Sequence, residues 1–123
     1  MAKKRVFISF DFDNNQNLKN LLVGQAKNPD SPFEILDWSL KESAPQWDWE
    51  NKAEAKIKNV DIVVVITGTN TYRASGVLKE IALARKHNKK VVQIKPQETN
   101  PYRVVDAGVL YDWTWDNLKL LLS

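Results

Sequence analysis

Five short apolar runs punctuate the chain, and helical spacing fills the gaps between them. "RVFISF" (5–10), "FEILDW" (33–38), "DIVVVIT" (61–67), "KVVQI" (90–94) and "GVLYDW" (108–113) are rich in β-branched and aromatic residues. Each is too short for a helix. The unbroken run in the third is what a central parallel strand, covered on both faces, requires. Between the runs, Leu18, Leu21, Leu22 and Gln25 recur at helical spacing within 17–27. Trp49, Ala53 and Ile57 are spaced by four, and Val60 follows. Residues 75–87 form the clearest helical pattern, with Ser75 placed to cap it and Val77, Leu78, Ile81, Ala84 and Arg85 on one side. A fourth helix over 114–122 opens on a capping Thr114 and turns Trp115, Leu118, Leu121 and Leu122 inward. In "KPQETNPYRVVDA", Pro96 and Pro101 argue against a full helix.

Alternation of this kind predicts an α/β domain with a parallel sheet, right-handed crossovers and helices on both faces. For five strands the common solution is the flavodoxin-like three-layer fold, order 2-1-3-4-5. No repeat, linker or low-complexity segment divides residues 1–123, so one domain is expected.

Composition narrows the chemistry. With no cysteine among 123 residues, disulfides, thiolate nucleophiles and cysteine metal sites are excluded. A single histidine, His87, argues against His-paired catalysis and His-rich metal sites, so no metal is expected. Hydrophobic residues at 43% and charged residues at 27% suit a soluble globular protein. No apolar run reaches the length of a membrane span, and "MAKKRVFISF" lacks the features of a signal peptide. A cytoplasmic protein without membrane attachment is expected. The net charge of +3 comes from Lys3-Lys4-Arg5 and from the cluster 85–90. The second cluster falls at a helix end, where cations complement the dipole. Without exposed aromatics interleaved along one face, it reads as a solvated end rather than a nucleic-acid surface.

In doubly wound sheets, ligands sit outside the strand carboxyl ends at the topological switch point, here between strands 1 and 3. Two polar loops line that crevice, "SFDFDNNQN" (9–17) and "TGTNTYRAS" (67–75). Both lead into helix N-termini, which favour anions. The long Trp-rich segment "DWSLKESAPQWDWE" (37–50), with Asp37, Ser39 and Trp47 as its candidate site residues, is placed to hang over the same edge. Of the five tryptophans, Trp47 is the stacking candidate because it lies in that loop, whereas Trp49 and Trp115 fit inward positions. Asp11 and Asp13 form a pair suited to a ribose or Mg²⁺, with helix capping the simpler role. Gly68 fits a turn. At ~100° per residue, Glu80 lies roughly 100° from the centre of its helix's apolar stripe, sharing a side with Gly76. Position alone leaves two roles open for Glu80: complementing the helix dipole, or facing the crevice.

With those residues in place, the chain resembles the TIR family, and within it the compact TIR-like domains that include the TIR proteins of bacterial Thoeris antiphage systems. The match runs through "KRVFISFDFDN", "SPFEILDWSLKES", "DIVVVITGTNTYRASGVLKEIALA" and "NKKVVQI", nearly the whole chain. Where many TIR enzymes carry a Trp-Cys pair in the active-site helix, this chain has Val77 and Leu78, as in divergent bacterial members. The resemblance implies that Glu80, five residues after Ser75, is the catalytic glutamate. It implies a nucleotide-binding first loop at Ser9, Phe10, Asp11 and Asp13, and an assembly and substrate-covering loop from Ser39 to Trp47.

It further implies cleavage of NAD⁺ at the nicotinamide–ribose bond, with NAD⁺ as substrate and no bound cofactor. The expected product is an ADP-ribose derivative, cyclic if an internal hydroxyl or ring nitrogen is the second nucleophile. Self-association through TIR loops and a separately encoded effector that reads the product are implied as well. Three other readings compete. A phosphoacceptor receiver domain needs an Asp where strand 3 ends in Thr67, and a Lys where Tyr111-Asp112 stand. A non-catalytic TIR-type interaction module would use the Trp-rich loop for assembly alone. A flavin-binding protein would share the fold.

Overall fold

The computed structural model describes residues 3–123. Its elements follow in the order β1 (Lys4–Ser9), α1 (Gln16–Ala26), β2 (Phe33–Trp38), α2 (Gln46–Lys58), β3 (Ile62–Ile66), α3 (Ser75–Lys86), β4 (Lys90–Lys95), β5 (Leu110–Asp112) and α4 (Trp115–Leu121), with a 3-10 turn at Thr71–Arg73. The five strands pair in parallel in the order β2-β1-β3-β4-β5. The flavodoxin-like α/β expectation therefore holds. Among the described residues, no helix is long and apolar enough to cross a membrane.

Side chains alternate across a strand, so β3 can feed two cores at once. Ile62, Val64 and Ile66 join Val6, Ile8, Leu22, Phe33 and Leu118 on one face of the sheet. Val63 and Val65 join Phe7, Ile57, Val77 and Ile81 on the other. Helices α1 and α4 cover the first face, and α2 and α3 the second. All five residues of β3 are buried, which explains why its sequence is apolar without alternation.

Local signals held at several boundaries. Thr114 caps α4, its Oγ1 accepting the Asn117 N–H at 3.0 Å. Asn88, with φ of 55°, takes the left-handed position that ends α3. Other expectations need correction. Ser75 is the first residue of α3, and its N-cap is Ala74 with no side-chain cap bond. Neither Asp11 nor Asp13 caps α1, whose N-cap is Asn15. Instead the Asp11 carbonyl accepts the Asn14 and Asn15 N–H groups, and its carboxylate accepts Asn14 Nδ2 at 2.7 Å, closing a turn before the helix. Helix α2 begins at Gln46, behind an extended Pro45. Trp47 therefore lies in the first helical turn and not in the loop. Leu21 and Leu78 are exposed at 60% and 37%.

The crossover 96–107 is irregular, as its prolines require. It is tied down by Gln93, a fully buried polar residue in β4. Its Oε1 accepts the Val104 N–H at 3.0 Å and Thr67 Oγ1 at 3.2 Å. Its Nε2 donates to the Val104 and Gly108 carbonyls at 3.1 and 2.7 Å. A buried amide with all its groups paired fixes the loop alongside Val104 and Ala107, which are buried in the second core.

Candidate active site

Strand β1 ends at Ser9 and β2 at Trp38, so Ser9 and Ser39 stand side by side at the carboxyl edge of the sheet. The Ser39 N–H continues the ladder by donating to the Ile8 carbonyl at 2.9 Å. Both hydroxyls converge on one atom. Ser9 Oγ donates to Glu80 Oε1 at 2.7 Å, and Ser39 Oγ donates to the same oxygen at 2.6 Å. Ser39 Oγ in turn accepts the Phe10 N–H at 3.1 Å. The carboxyl group is thus fixed by two strands and one helix.

Glu80 is only 1% exposed, so the border position expected for it is corrected: it belongs to the buried face of α3, with Val77, Ile81 and Ala84. Leu78 and Arg85 draw the helical-wheel centre toward themselves, yet both are exposed. Arg85 instead reaches the Asp106 carbonyl with two N–H groups at 3.1 and 2.7 Å. Burial pushes the Glu80 carboxyl up to about 8. The Ser39 and Ser9 hydrogen bonds oppose the shift, Glu42 adds to it and Lys56 opposes it. The other oxygen, Oε2, meets no donor among the described residues. No side-chain oxygen sealed from solvent there lacks a partner, so Oε2 opens onto the adjoining cavity.

That cavity measures about 190 Å³. Phe10, Phe12, Leu40 and Trp49 give it apolar walls, while Asp11, Asp13, Ser39, Glu42 and Ser75 give it polar ones. The rings of Phe10 and Phe12 stack, with centroids 6.0 Å apart. Trp49 fixes the loop above it through Nε1, which donates to the Leu40 carbonyl at 3.3 Å. Asp13 reaches toward Lys41 at 4.0 Å across the mouth.

Three expected site residues lie elsewhere. Asp37 pairs with Lys56 at 3.2 Å and accepts the Trp38 N–H, away from the cavity. Gly68 borders a separate hollow with Asn15, Thr69 and Pro96. A β-carbon there would come 2.7 Å from Asn15 Oδ1, so close packing explains this glycine. Trp47 is 66% exposed on α2, and Trp49 is the indole that lines the cavity. A Trp spaced four from Ala53 reads as core, and Trp49 is both core and wall. Phe12 and Glu42 lie inside two loops expected at the site but do not stand out individually in the sequence, and Lys79 carries no sequence signal. Among the described residues no three His, Asp or Glu side chains gather to hold a metal ion.

A parallel sheet in this order, with a buried glutamate facing a cavity at its switch point, defines a flavodoxin-like α/β domain with a carboxylate-centred site. Residues 7–101 match the family model described as "Thoeris protein ThsB, TIR-like domain", and the chain belongs to that family. No curated protein matches it. Among solved structures it is similar to the Clostridium botulinum CMP N-glycosidase BcmB, at 16% identity and a TM-score of 0.57. The likeness covers 96% of this chain and 94% of that one. At that identity it speaks to the fold.

Proposed function

We propose that the protein cleaves the nicotinamide–ribose bond of NAD⁺ with Glu80 as the catalytic residue. It releases nicotinamide and an ADP-ribose-derived signal, cyclic in form, for antiphage defence. The observation that carries this reading is the Glu80 carboxyl, with Oε1 held by Ser9 and Ser39 and Oε2 open to the cavity. Membership of the Thoeris TIR-like family supports the substrate. An N-glycosidase among the structural neighbours is in keeping with glycosidic-bond cleavage.

The chemistry needs little else. The bond breaks through an oxocarbenium-like ribosyl cation, and a carboxylate beside the ribose stabilises the growing charge. Nicotinamide leaves as a neutral molecule, so no strong acid has to protonate it. Burial keeps Glu80 of the free protein largely protonated at neutral pH. The cationic nicotinamide ring of a bound NAD⁺ favours the ionised form, so the substrate itself charges the group that works on it. Phe10, Phe12 and Trp49 offer flat apolar surface for a ring. The cavity is smaller than the roughly 300–1,000 Å³ of most small-molecule sites, so the rest of the dinucleotide lies along loop 39–45 or against a neighbouring copy. A separately encoded effector reads the product.

The test is incubation of the pure protein with NAD⁺, alone, concentrated or with phage-infected lysate, followed by mass analysis. Release of nicotinamide that vanishes in Glu80→Gln is the expected result. No release under any condition favours an interaction module, and release that survives Glu80→Gln removes the site assignment.

A further inference from the structure

The polar wall of the cavity holds an anion that belongs to the protein. Glu42, on the loop between β2 and α2, lays its carboxylate on the first turns of α3. Oε1 accepts Ser75 Oγ at 2.5 Å, and Oε2 accepts Lys79 Nζ at 3.1 Å. The Gly76 backbone N–H also donates to the carboxylate. A β-carbon on residue 76 would stand 3.1 Å from Oε1, so a larger residue would press the bound carboxylate back by a few tenths of an ångström. A hydroxyl, a backbone amide and an ammonium aimed at one point form a cradle for a tetrahedral or planar oxyanion. Together the donors, Ser75 foremost, hold the Glu42 carboxyl below its ordinary range.

We infer that this cradle is a phosphate subsite of the Glu80 cavity, and that Glu42 occupies it until the phosphate of a nucleotide displaces it. The inference rests on the reading above for placing a ribose at Glu80. Two further facts support it. Glu80 opens into the same cavity, with Oε2 still unpartnered among the described residues. Gly76 precedes Glu80 by four residues, about 6 Å along the helix axis. That is close to the separation of the 5′-phosphate from the anomeric carbon in a ribose 5-phosphate. Glu42 is also displaceable: its side chain is 38% exposed, and ion pairs at such sites contribute little. When Glu42 leaves, loop 39–45 loses its tie to α3 and the cavity can enlarge.

The test uses ribose 5-phosphate and ribose as probes, neither of which has an N-glycosidic bond to cleave. Binding to the full chain is followed by titration of the Gly76 amide signal. Glu42→Gln is expected to tighten ribose 5-phosphate about tenfold, and Lys79→Met to weaken it by a similar factor. Binding of ribose should be unchanged in both. Gly76→Ala should weaken ribose 5-phosphate as well, since its β-carbon crowds the cradle. Unchanged ribose 5-phosphate affinity in Glu42→Gln, or equal tightening of the two probes, overturns the inference. Nicotinamide release from NAD⁺, measured in parallel, separates the two ideas. Phosphate-selective binding without NAD⁺ cleavage keeps the subsite and removes the NAD⁺ reading. NAD⁺ cleavage with phosphate-blind variants removes the subsite alone.

Discussion

Ser39 and Glu80, 41 positions apart in sequence, meet through a 2.6 Å hydrogen bond in which the serine hydroxyl donates and the carboxyl oxygen accepts. Because the same Ser39 oxygen accepts the Phe10 N–H, the bond links the glutamate to the backbone of the first loop. Ser39→Ala is therefore expected to do two things. It leaves the Phe10 N–H unpaired in a buried place, at about 1–3 kcal/mol of stability. It also removes the largest of the influences that lower the Glu80 carboxyl, so that group moves further upward. If ionised Glu80 is the working form, the alkaline rise of kcat/KM shifts to higher pH. Ser9→Ala should shift the profile in the same direction without orphaning a backbone group. Parallel pH–rate profiles and urea titrations of both variants check this.

Burial of Glu80 also ties folding to pH. Its carboxyl titrates near 8 in the folded chain against 4.5 in an unfolded one. Between these values the folded state binds the extra proton, so stability falls as pH rises. The contribution is complete below about pH 4.5 and lost through about pH 8, on the order of a few kcal/mol. Glu80→Gln keeps an oxygen for both serines and cannot ionise. Its melting temperature should lack this decline between pH 5 and 9, while nicotinamide release falls by about a hundredfold or more. An unchanged slope in the variant would show that another group governs the pH dependence.

A cationic substrate should drive a proton off the protein. In the proposed reading, binding of a carbocyclic NAD⁺ analogue at pH 7 releases close to one proton, because the pyridinium charge favours ionised Glu80. The corresponding NADH analogue, neutral at that ring, should release little. Calorimetry in two buffers of different ionisation enthalpy measures the difference. Glu80→Gln serves as the control, in which the two analogues should behave alike.

Much of this molecule is legible in its sequence, for identifiable reasons. The run Ile62–Ile66 announces a central strand because both its faces are covered, and the alternation of runs with helical spacing points to a parallel sheet whose commonest five-strand order is the one observed. Ser9, Ser39 and Glu80 were placed by family resemblance, and helix geometry alone misjudged Glu80. A helical wheel averages over apolar residues without knowing that Leu78 faces solvent. Trp49 reads correctly as inward from its spacing to Ala53, but Trp47 reads as a loop residue because nothing in the sequence shows that α2 starts as early as Gln46. Glu42 lies in the expected covering loop, but its pairing is not legible because its partners, Ser75 and Lys79, lie more than thirty positions away. Contacts of that range leave no local periodicity to read.

Gln93 illustrates the same limit and gives the last prediction. In sequence it is one polar residue inside a short apolar strand, and nothing marks it as the anchor of a loop. In the structure it is fully buried and makes hydrogen bonds to Thr67, Val104 and Gly108. Gln93→Leu is close in size and more apolar, so burial alone would make it harmless or stabilising. The hydrogen-bond ledger points the other way. The substitution strands the Val104 N–H and two carbonyls inside the protein, and each unsatisfied buried group costs about 1–3 kcal/mol. A net loss of about 2–4 kcal/mol is expected by urea denaturation. Amide hydrogen exchange should accelerate first in 96–108, the segment that Gln93 secures, with β1 and β3 still protected. Gln93→Glu tests the balance further, since it keeps an acceptor for Val104 but cannot donate to Gly108 once ionised. Its loss should deepen as pH rises, whereas that of Gln93→Leu should not.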